Sequence, residues 1–507
     1  MNLSAGSSEV ERFRALVATL LGLHFEDSKL SQVAEVLARR LSEASLSCDA
    51  YLARLQGPGA PREELRALAQ ELTVGETYFF RNPDQFRAFS EAALPDRQRA
   101  QNGSQRLRIL SAGCASGEEP YSIAILLADR GQTSWTPSIR AVDLNPSALA
   151  RAAHARYSAW ALRETPEEIQ SRWFRRQGRD LVLEEAPRRF VTFEERNLNQ
   201  ADPDLWQREA YDVVFCRNVL MYFTPQNART LVDRIEASLV PGGYLFLGHA
   251  ETLRGLSAAF HLRHTHGTFY YQRRLSASDR VSYTTVPEGP VVPEPLLGAV
   301  EGGATWVDAI RRASDRIQAL AQASGTAAGS QPSGSPRPGR PRWELGAALE
   351  LLRAEKFGQA LDVVQGLPLE AAADPEVLLL RATLLTHNGQ LSEAERVCQE
   401  LLAVDELNAG AHYLLALCRE GCGDPNGAKH HDQLAVYLDP SFAMPRLHLG
   451  LLARRAGDRP GAGRELAEAL DLLRREDASR LLMFGGGFNR EALAALCQAE
   501  IAACGTA

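Results

Sequence analysis

Apolar residues recur at helical spacing through the first hundred residues of the chain. VERFRALVATLLGLHF and SQVAEVLARRLSEA show this spacing most clearly, and EELRALAQELTVGETYFFRNPDQFRAFSEAAL continues it. An apolar position every three or four residues gives each helix one stripe that packs against a neighbour. We therefore predict an N-terminal helical subdomain over residues 1–100.

A different pattern follows over residues 101–275, where short apolar runs alternate with helical spacing. The runs, which we predict to be strands, are RLRILSAG, IRAVDLN, RFVTFEERN, YDVVFCRN and GGYLFLGH. The predicted helices between them are EEPYSIAILLADR, SALARAAHARYS and the stretch around ARTLVDRIEASLVPGG, and FHLRHTHGTFYYQRR predicts a closing antiparallel pair of strands. This order predicts an α/β fold with a mostly parallel sheet covered on both faces. WFRRQGRDLVLEEAPRRFVTF predicts a small β appendage near residues 173–193.

Beyond residue 275 the composition changes. Residues 276–342 are rich in Pro, Gly, Ser and Ala and are interrupted by one helix-like piece, ATWVDAIRRASDRIQALAQA. Such a composition is typical of a tether between separately folded parts. We predict a linker here.

Small residues recur with a period of 34 residues over 343–507. Two series hold this period: Ala348, Ala382, Ala416 and Gly450, and, twelve residues further on, Ala360, Ala394, Ala428 and Ala462. A third series, Gly389, Gly423 and Gly457, marks the predicted turn between paired helices. The spacing resembles that of the tetratricopeptide repeat and predicts an all-α solenoid of about four repeats plus a C-terminal helix. A solenoid of this kind presents a concave face, so we expect the repeats to recruit a protein partner.

Composition restricts the classes of function. The 507 residues include 56 Lys and Arg against 63 Asp and Glu, for a formal charge of −7, so no overall basic surface favours nucleic acid. The sequence contains no uninterrupted apolar stretch of about 18 residues, and we expect a cytoplasmic monomer without direct membrane insertion. The eight cysteines are scattered through apolar surroundings, which is typical of buried free thiols, and we expect no metal site.

The string LSAGCASGEEPYS ends the first predicted strand, where ligands of such sheets collect. The spacing of Gly113 and Gly117 differs from that of a phosphate loop and no Lys-Ser or Lys-Thr pair follows, which disfavours a nucleoside triphosphate. Asp143, at the end of the second predicted strand, suits the ribose hydroxyls of an adenosine cofactor. Glu118 and Glu119 disfavour the pyrophosphate of NAD and suit a positively charged cofactor such as S-adenosylmethionine.

Six strings in order resemble the CheR family of chemotaxis receptor methyltransferases. They are LTVGETYFFRNPDQF, SAGCASGEEPYSIAI, AVDLNPSALARA, NLNQ, YDVVFCRNVLMYF and PGGYLFLGHAE, within residues 10–275. The resemblance implies a Rossmann-like class I methyltransferase that transfers a methyl group from S-adenosylmethionine to receptor glutamates and releases S-adenosylhomocysteine. The repeats, with the late string LLMFGGGFNREALAALC, resemble the C-terminal extension of a subset of this family.

The resemblance also implies the site residues. It assigns cofactor contacts to Gly75, Thr77, Arg81, Glu119, Asp143, Asn197, Leu198, Arg217 and Asn218. Gly75 departs from the asparagine that many members have. The pair beside the methyl-transfer centre falls on Arg81 and Tyr222. A glutamate acceptor is already ionised at neutral pH, so it needs alignment and no general base.

The implied substrate is the cytoplasmic helices of chemoreceptors, and the partner of the repeats is open. Two other classes also remain open: a catalytically weak S-adenosylmethionine-binding scaffold whose repeats organise a signalling complex, and a nicotinamide-dependent dehydrogenase. In this family the β appendage can dock a receptor tail by strand addition, but the hairpin here is short. We therefore expect no strong binding of an isolated tail.

Overall fold

The computed structural model describes residues 7–57, 61–73, 75–100, 106–130, 135–275, 345–354, 356–486 and 488–505. These residues form two compact units, 7–275 and 345–505. The predicted linker, with its helix-like piece, lies outside the described residues. The domain boundaries at residues 100, 275 and 342 stay predictions.

Four helices open the first unit: α1 (Ser7–Leu20), α2 (Leu30–Ala44), α3 (Cys48–Gln56) and α4 (Arg62–Leu72). Phe13, Leu37 and Tyr51 lie in the apolar cluster between them and are fully buried or nearly so. Arg40 on α2 donates two hydrogen bonds to the carboxylate of Glu64 on α4, at 2.8 and 2.7 Å. The predicted helical subdomain therefore has its own core and a buried ion pair.

The prediction of continuous helix is wrong between Leu72 and Pro83, where the described residues are irregular. Phe80 and Asn82 adopt left-handed φ values of 56° and 64°. This conformation costs a non-glycine residue about 1–2 kcal/mol and cannot be part of a right-handed helix. Helix resumes as α5 (Pro83–Ala88), a π-helical turn (Phe89–Ala93) and α6 (Leu94–Ala100).

The described residues that follow form ten strands: β1 (Arg106–Ala112), β2 (Thr136–Asp143), β3 (Arg156–Tyr157), β4 (Phe174–Gln177), β5 (Asp180–Leu183), β6 (Val191–Glu195), β7 (Tyr211–Cys216), β8 (Leu239–Leu247), β9 (Phe260–Thr265) and β10 (Thr268–Arg273). Seven form one sheet in the order β6-β2-β1-β7-β8-β10-β9. The first five of these pair in parallel, and β10 pairs antiparallel with both of its neighbours. The predicted α/β, Rossmann-like sheet with a closing antiparallel pair is confirmed.

Helices connect the strands: α7 (Glu118–Asp129), α8 (Pro146–His154), α9 (Glu167–Trp173), α10 (Glu185–Arg188) and α11 (Pro225–Ser238). The appendage is a three-stranded sheet in the order β3-β5-β4. LVPGG belongs to β8 and not to the helix before it, because α11 ends at Ser238. A Cβ atom at Gly243 would lie 3.0 Å from the carbonyl oxygen of Asp212 on β7, so glycine permits this close strand approach.

The second unit is entirely helical in its described residues. Its helices are α12 (Leu345–Arg353), α13 (Phe357–Gln365), α14 (Leu369–Ala372), α15 (Pro375–His387), α16 (Leu391–Val404), α17 (Ala409–Gly421), α18 (Pro425–Leu438), α19 (Ala443–Arg455), α20 (Arg459–Leu473), α21 (Ala478–Phe484) and α22 (Arg490–Gly505). The second helices of successive pairs begin at Phe357, Leu391, Pro425 and Arg459, 34 residues apart. The predicted helix-pair solenoid is confirmed.

The three series of small residues explain this period. The alanines of the first two series are fully buried, and Gly450 is buried with them. Gly389, Gly423 and Gly457 have left-handed φ values of 72°, 79° and 82°, and each follows the first helix of a pair. All eight cysteines are free, and six of them are buried. In the part of the chain that the structure describes, none of the helices combines the length and apolarity needed to cross a bilayer.

Gly450 is expected to be required at its position even though the equivalent positions carry alanine. A Cβ atom there would lie 2.6 Å from Cγ of Leu466, which is fully buried. Overpacking of this kind exceeds the helix-propensity gain, so Gly450→Ala should lower the free energy of unfolding by about 1–2 kcal/mol. Gly463→Ala is the control, because a Cβ atom at Gly463 meets nothing within 4 Å. Chemical denaturation of both variants tests this, and equal or higher stability of the Gly450 variant would contradict it.

Candidate active site

The carboxyl ends of β1, β2 and β7 meet at one edge of the main sheet. β1 leads through the loop 113–117 into α7, β2 ends at Asp143, and β7 leads to Arg217 and Asn218. The glycine loop is closely packed, because a Cβ atom at Gly113 would lie 2.5 Å from Cγ2 of Val219. The sheet therefore brings together predicted site residues that lie far apart in the sequence.

Asp143 fixes the loop between β1 and α7. Its Oδ2 accepts a hydrogen bond from the backbone N–H of Ala115 and its Oδ1 accepts one from the N–H of Asn145, both at 2.8 Å. Burial raises the pKa of Asp143, and these N–H groups oppose that shift. The residue is only partly buried, and each carboxylate oxygen has a second lone pair for another donor. Asp143 thus holds the loop while keeping capacity for a ligand.

Two carboxylates occupy the first turn of α7. Ser116 Oγ donates to Glu118 Oε2 and Ser111 Oγ donates to Glu119 Oε1, each at 2.8 Å. Arg217 Nη1 donates to Glu119 Oε2 at 3.2 Å. Burial raises the pKa of both glutamates, and the charge of Arg217 opposes the shift at Glu119. Because negative side chains already lie at the positive end of the helix dipole, this turn is a poor phosphate site.

Arg81 lies between the two left-handed residues, Phe80 and Asn82. The N–H of Phe80 donates to Ser122 Oγ at 2.9 Å, and Arg217 donates to the carbonyl oxygen of Arg81. Arg81 Nη1 donates to the carbonyl oxygen of Glu76 at 3.1 Å. Backbone strain of this kind persists where surrounding contacts over-determine the conformation. The contacts with α7 and Arg217 do this for Arg81.

Tyr222 ends a 3₁₀ turn, Leu220–Tyr222, in the loop after β7. Its ring packs against the apolar cluster of α1–α4, and its carbonyl oxygen accepts a hydrogen bond from the N–H of His24 at 2.7 Å. Burial raises the pKa of the Tyr222 phenol, and the positive charge of Arg81 opposes the shift. Arg217, in the same loop as Tyr222, donates a hydrogen bond to the carbonyl oxygen of Arg81, which joins the two segments. Met221 beside Tyr222 is 59% exposed.

Asn197 and Leu198 connect the sheet to the N-terminal helices. Asn197 Nδ2 donates to the carbonyl oxygen of Leu20 at 3.0 Å, and its Oδ1 accepts from the N–H of Asn199 at 2.9 Å. Leu198 is buried, and its carbonyl oxygen accepts from Arg234 at 2.9 Å. The Asn197 side chain therefore joins this stretch to the end of α1. The adenine contact that the resemblance implies for Asn197 and Leu198 stays a prediction.

Gly75 and Thr77 lie in the irregular segment before Arg81. Gly75 is exposed, and a Cβ atom there would meet nothing within 4 Å. Thr77 is partly buried. Nothing packed around position 75 requires glycine, so the asparagine of many family members would fit there.

Glu251 is a structural residue of this site that sequence reasoning did not identify. It is buried, and its Oε2 accepts hydrogen bonds from the N–H groups of Asn218 and Gly248, both at 2.7 Å, while Oε1 accepts from Met221 at 3.4 Å. Burial raises the pKa of Glu251, and the backbone N–H groups oppose the shift. Asn218 itself is left-handed, with φ of 57°. Glu251 therefore holds the loop that carries Asn218 and Tyr222. The sequence feature that could have indicated this role is a single acid three residues after Gly248, the glycine that follows β8.

The sheet order, the glycine loop and the acid that ends β2 define an S-adenosylmethionine-dependent methyltransferase domain. The sequence pattern described as "CheR methyltransferase, SAM binding domain" matches residues 75–269, and "CheR methyltransferase, all-alpha domain" matches residues 8–73. The chain belongs to the CheR methyltransferase family. The implied family and its cofactor, S-adenosylmethionine, are confirmed.

Two relatives show how far the similarity extends. A "Probable biofilm formation methyltransferase WspC" of Pseudomonas aeruginosa is 30% identical over 465 residues, which covers 90% of this chain and 96% of the relative. "Chemotaxis protein methyltransferase 2" of Vibrio cholerae is 35% identical over 280 residues, which covers 54% of this chain and 95% of the relative. The first similarity therefore extends through most of the chain, whereas the second covers about half of it.

Glu251→Gln is expected to loosen the loop after β7. The amide keeps the size of the carboxylate but loses its charge and turns an NH₂ group toward backbone donors, so the free energy of unfolding should fall by about 1–3 kcal/mol. Glu185→Gln is the control, because the Glu185 side chain is 75% exposed. Thermal unfolding and amide exchange of residues 218–222 measure the effect. Identical behaviour of the two variants would contradict a loop-holding role.

Proposed function

We propose that this protein transfers a methyl group from S-adenosylmethionine to glutamate side chains on the cytoplasmic helices of a chemoreceptor, and that its repeats recruit a protein partner. One observation carries the proposal: Arg217, in the loop after β7 that also carries Tyr222, donates a hydrogen bond to the carbonyl oxygen of Arg81, so the two predicted catalytic residues lie on segments joined beside the carboxyl edge of the sheet. Membership of the CheR family supports the reaction class.

The residues at the sheet edge fit the cofactor. Asp143 retains acceptor capacity for the two ribose hydroxyls, and Asn197 with Leu198 borders the expected adenine position. Thr77 and Arg81 would hold the methionine moiety, with Gly75 leaving open space beside them. Arg217 would contribute indirectly, because it holds the Glu119 carboxylate and the Arg81 carbonyl oxygen in place. Asn218 would line the cofactor site from the loop after β7. When bound, S-adenosylmethionine supplies an electrophilic methyl group on a sulfonium.

Arg81 and Tyr222 would align the acceptor. A glutamate side chain has a pKa of about 4.3, so it is already a carboxylate at neutral pH and no residue needs to remove a proton. Arg81 would hold either that carboxylate or the cofactor's own carboxylate through its guanidinium fork, and the Tyr222 phenol, which is protonated at neutral pH, would donate a hydrogen bond to the acceptor. Holding the oxygen in line with the methyl group would speed the transfer.

The extent of the similarity to each kind of relative favours one class of receptor as the substrate. Relatives named for chemotaxis match about half of this chain, whereas the relatives named WspC match 90% of it. We therefore favour a receptor of a biofilm-forming pathway over one of swimming chemotaxis. Methyl transfer from labelled S-adenosylmethionine to purified receptor cytoplasmic fragments of each kind separates the two, and no transfer to either would favour the scaffold alternative.

Asp143→Asn should weaken cofactor binding in a protein that still folds, although the new NH₂ group faces a backbone N–H and should lower the free energy of unfolding by about 1–3 kcal/mol. Asparagine keeps one carbonyl acceptor but loses the charge, so the binding free energy of S-adenosylmethionine should fall by about 1.5–3 kcal/mol. Asp202→Asn is the matched control, since Asp202 also accepts backbone hydrogen bonds, from Asp204 at 3.0 Å and Leu205 at 3.2 Å. Calorimetric titration that gives both variants wild-type affinity would reject the ribose assignment.

Substitutions at Arg81 and Tyr222 should separate alignment from binding. Tyr222→Phe keeps the packed ring and is expected to lower kcat with little change in cofactor affinity. Arg81→Ala should lower the rate further, and Arg81→Lys should rescue it poorly because lysine lacks the planar fork. Arg87→Ala, at a mostly exposed arginine on α5, is the control. Wild-type turnover of Tyr222→Phe at saturating cofactor and receptor would remove Tyr222 from the reaction.

A further inference from the structure

The first eight residues of the helices α17 and α19, which open the central helix pairs, have no solvent-facing stripe. All eight residues of Ala409–Ala416 on α17 are buried, and so are all eight of Ala443–Gly450 on α19. A helix packed only against its own pair and its neighbours would leave one face exposed. Something therefore covers the face that α15, α17 and α19 form together.

That cover is α21, the short helix after the last pair. The Phe484 ring lies 5.9 Å from the ring of Tyr413 on α17 and 5.1 Å from that of Phe442, which precedes α19. A Cβ atom at Gly410 would lie 2.8 Å from Phe484 Cζ, so glycine makes room for the ring. On α15, His387 Nε2 lies 3.1 Å from the carbonyl oxygen of Met483. The helix α21 thus contacts three consecutive pairs.

A charged contact fixes the other end of α21. Arg480 pairs with Asp439 and with Glu476, the latter at 3.0 Å, and its guanidinium lies 4.7 Å from the Phe442 ring centroid. Glu476 also accepts a hydrogen bond from the N–H of Ala443 at 2.7 Å. Arg480 and Phe484, one helical turn apart, are therefore the two anchors of the segment.

The helix α21 has defined boundaries at both ends. Asp477 caps its start by accepting from the N–H of Ser479 at 2.7 Å. Its end is followed by Gly485 and Gly486, and Gly486 has a left-handed φ of 65°. The long helices α20 and α22 on either side pack against each other. A local opening that released α21 would leave the packing of α20 against α22 in place.

We infer that the face formed by α15, α17 and α19 is a peptide-binding groove that α21 occupies in cis. The partner that the groove fits is a short helix with an arginine four residues before a large aromatic residue, and this helix binds by displacing α21. The inference rests on the proposed recruiting role of the repeats, but it does not depend on methyl transfer.

The test uses the full chain and a fluorescent peptide of residues 474–488. Wild-type protein should bind this peptide weakly, because α21 already fills the groove. The double variant Arg480→Ala, Phe484→Ala should bind it at least tenfold more tightly, and a peptide with alanine in place of phenylalanine at position 484 should not compete. Phe488→Ala is the control, because Phe488 is 62% exposed. A folded double variant that binds no better than the control would overturn the inference.

Hydrogen exchange of the wild-type protein covers the case in which the double variant does not fold. The amides of α21 should exchange at least tenfold faster than those of α17 and α19. Equal protection would mean that α21 is an inseparable part of the repeat core, and would overturn the inference.

Light scattering over a range of concentrations tests the assignment in cis, because a dimer that dissociates when α21 is substituted would place the segment in the groove of a second copy.

Discussion

The buried ion pair between Arg217 and Glu119 is the contact on which the arrangement of the active site depends. Burial lowers the pKa of the guanidinium and raises that of the carboxyl, and each charge opposes the shift of the other. Removing one partner of such a pair costs about 3–5 kcal/mol, because the other charge stays buried alone. The second arm of Arg217 holds the carbonyl oxygen of Arg81. One side chain thus connects α7, the loop after β7 and the strained segment before α5.

Carboxylates connect loops in the same way elsewhere at this edge. Asp143 collects backbone N–H groups from the glycine loop and from the start of α8, and Glu251 collects them from the loops after β7 and β8. Charged hydrogen bonds of this kind contribute about 1.5–3 kcal/mol each. A site built from loops consequently gains the rigidity that alignment of the reactants requires.

The sequence predicted features that repeat or alternate. Strands β1 and β7 were evident from their apolar runs, and the 34-residue period located the helix pairs, because both patterns reflect burial of many residues at once. The break at residues 73–82 was missed, since left-handed residues such as Phe80 leave no periodic trace and glycine, the usual marker, is absent at that position. Glu251 was missed for a related reason. Its importance comes from two N–H groups that become neighbours only after the strands pair, whereas Asp143 follows a strand directly and could be placed from the pattern.

Because α21 occupies this face of the solenoid, it weakens the apparent affinity of every partner that binds there. A ligand that binds only the vacated face has an apparent Kd equal to its intrinsic Kd divided by the fraction of molecules in which α21 has left. With about 1% of molecules open, an intrinsic affinity of 10 nM would be measured as roughly 1 μM. Substitutions at Arg480 or Phe484 themselves would therefore tune the concentration at which a partner is detected, with no change to any residue that the partner touches.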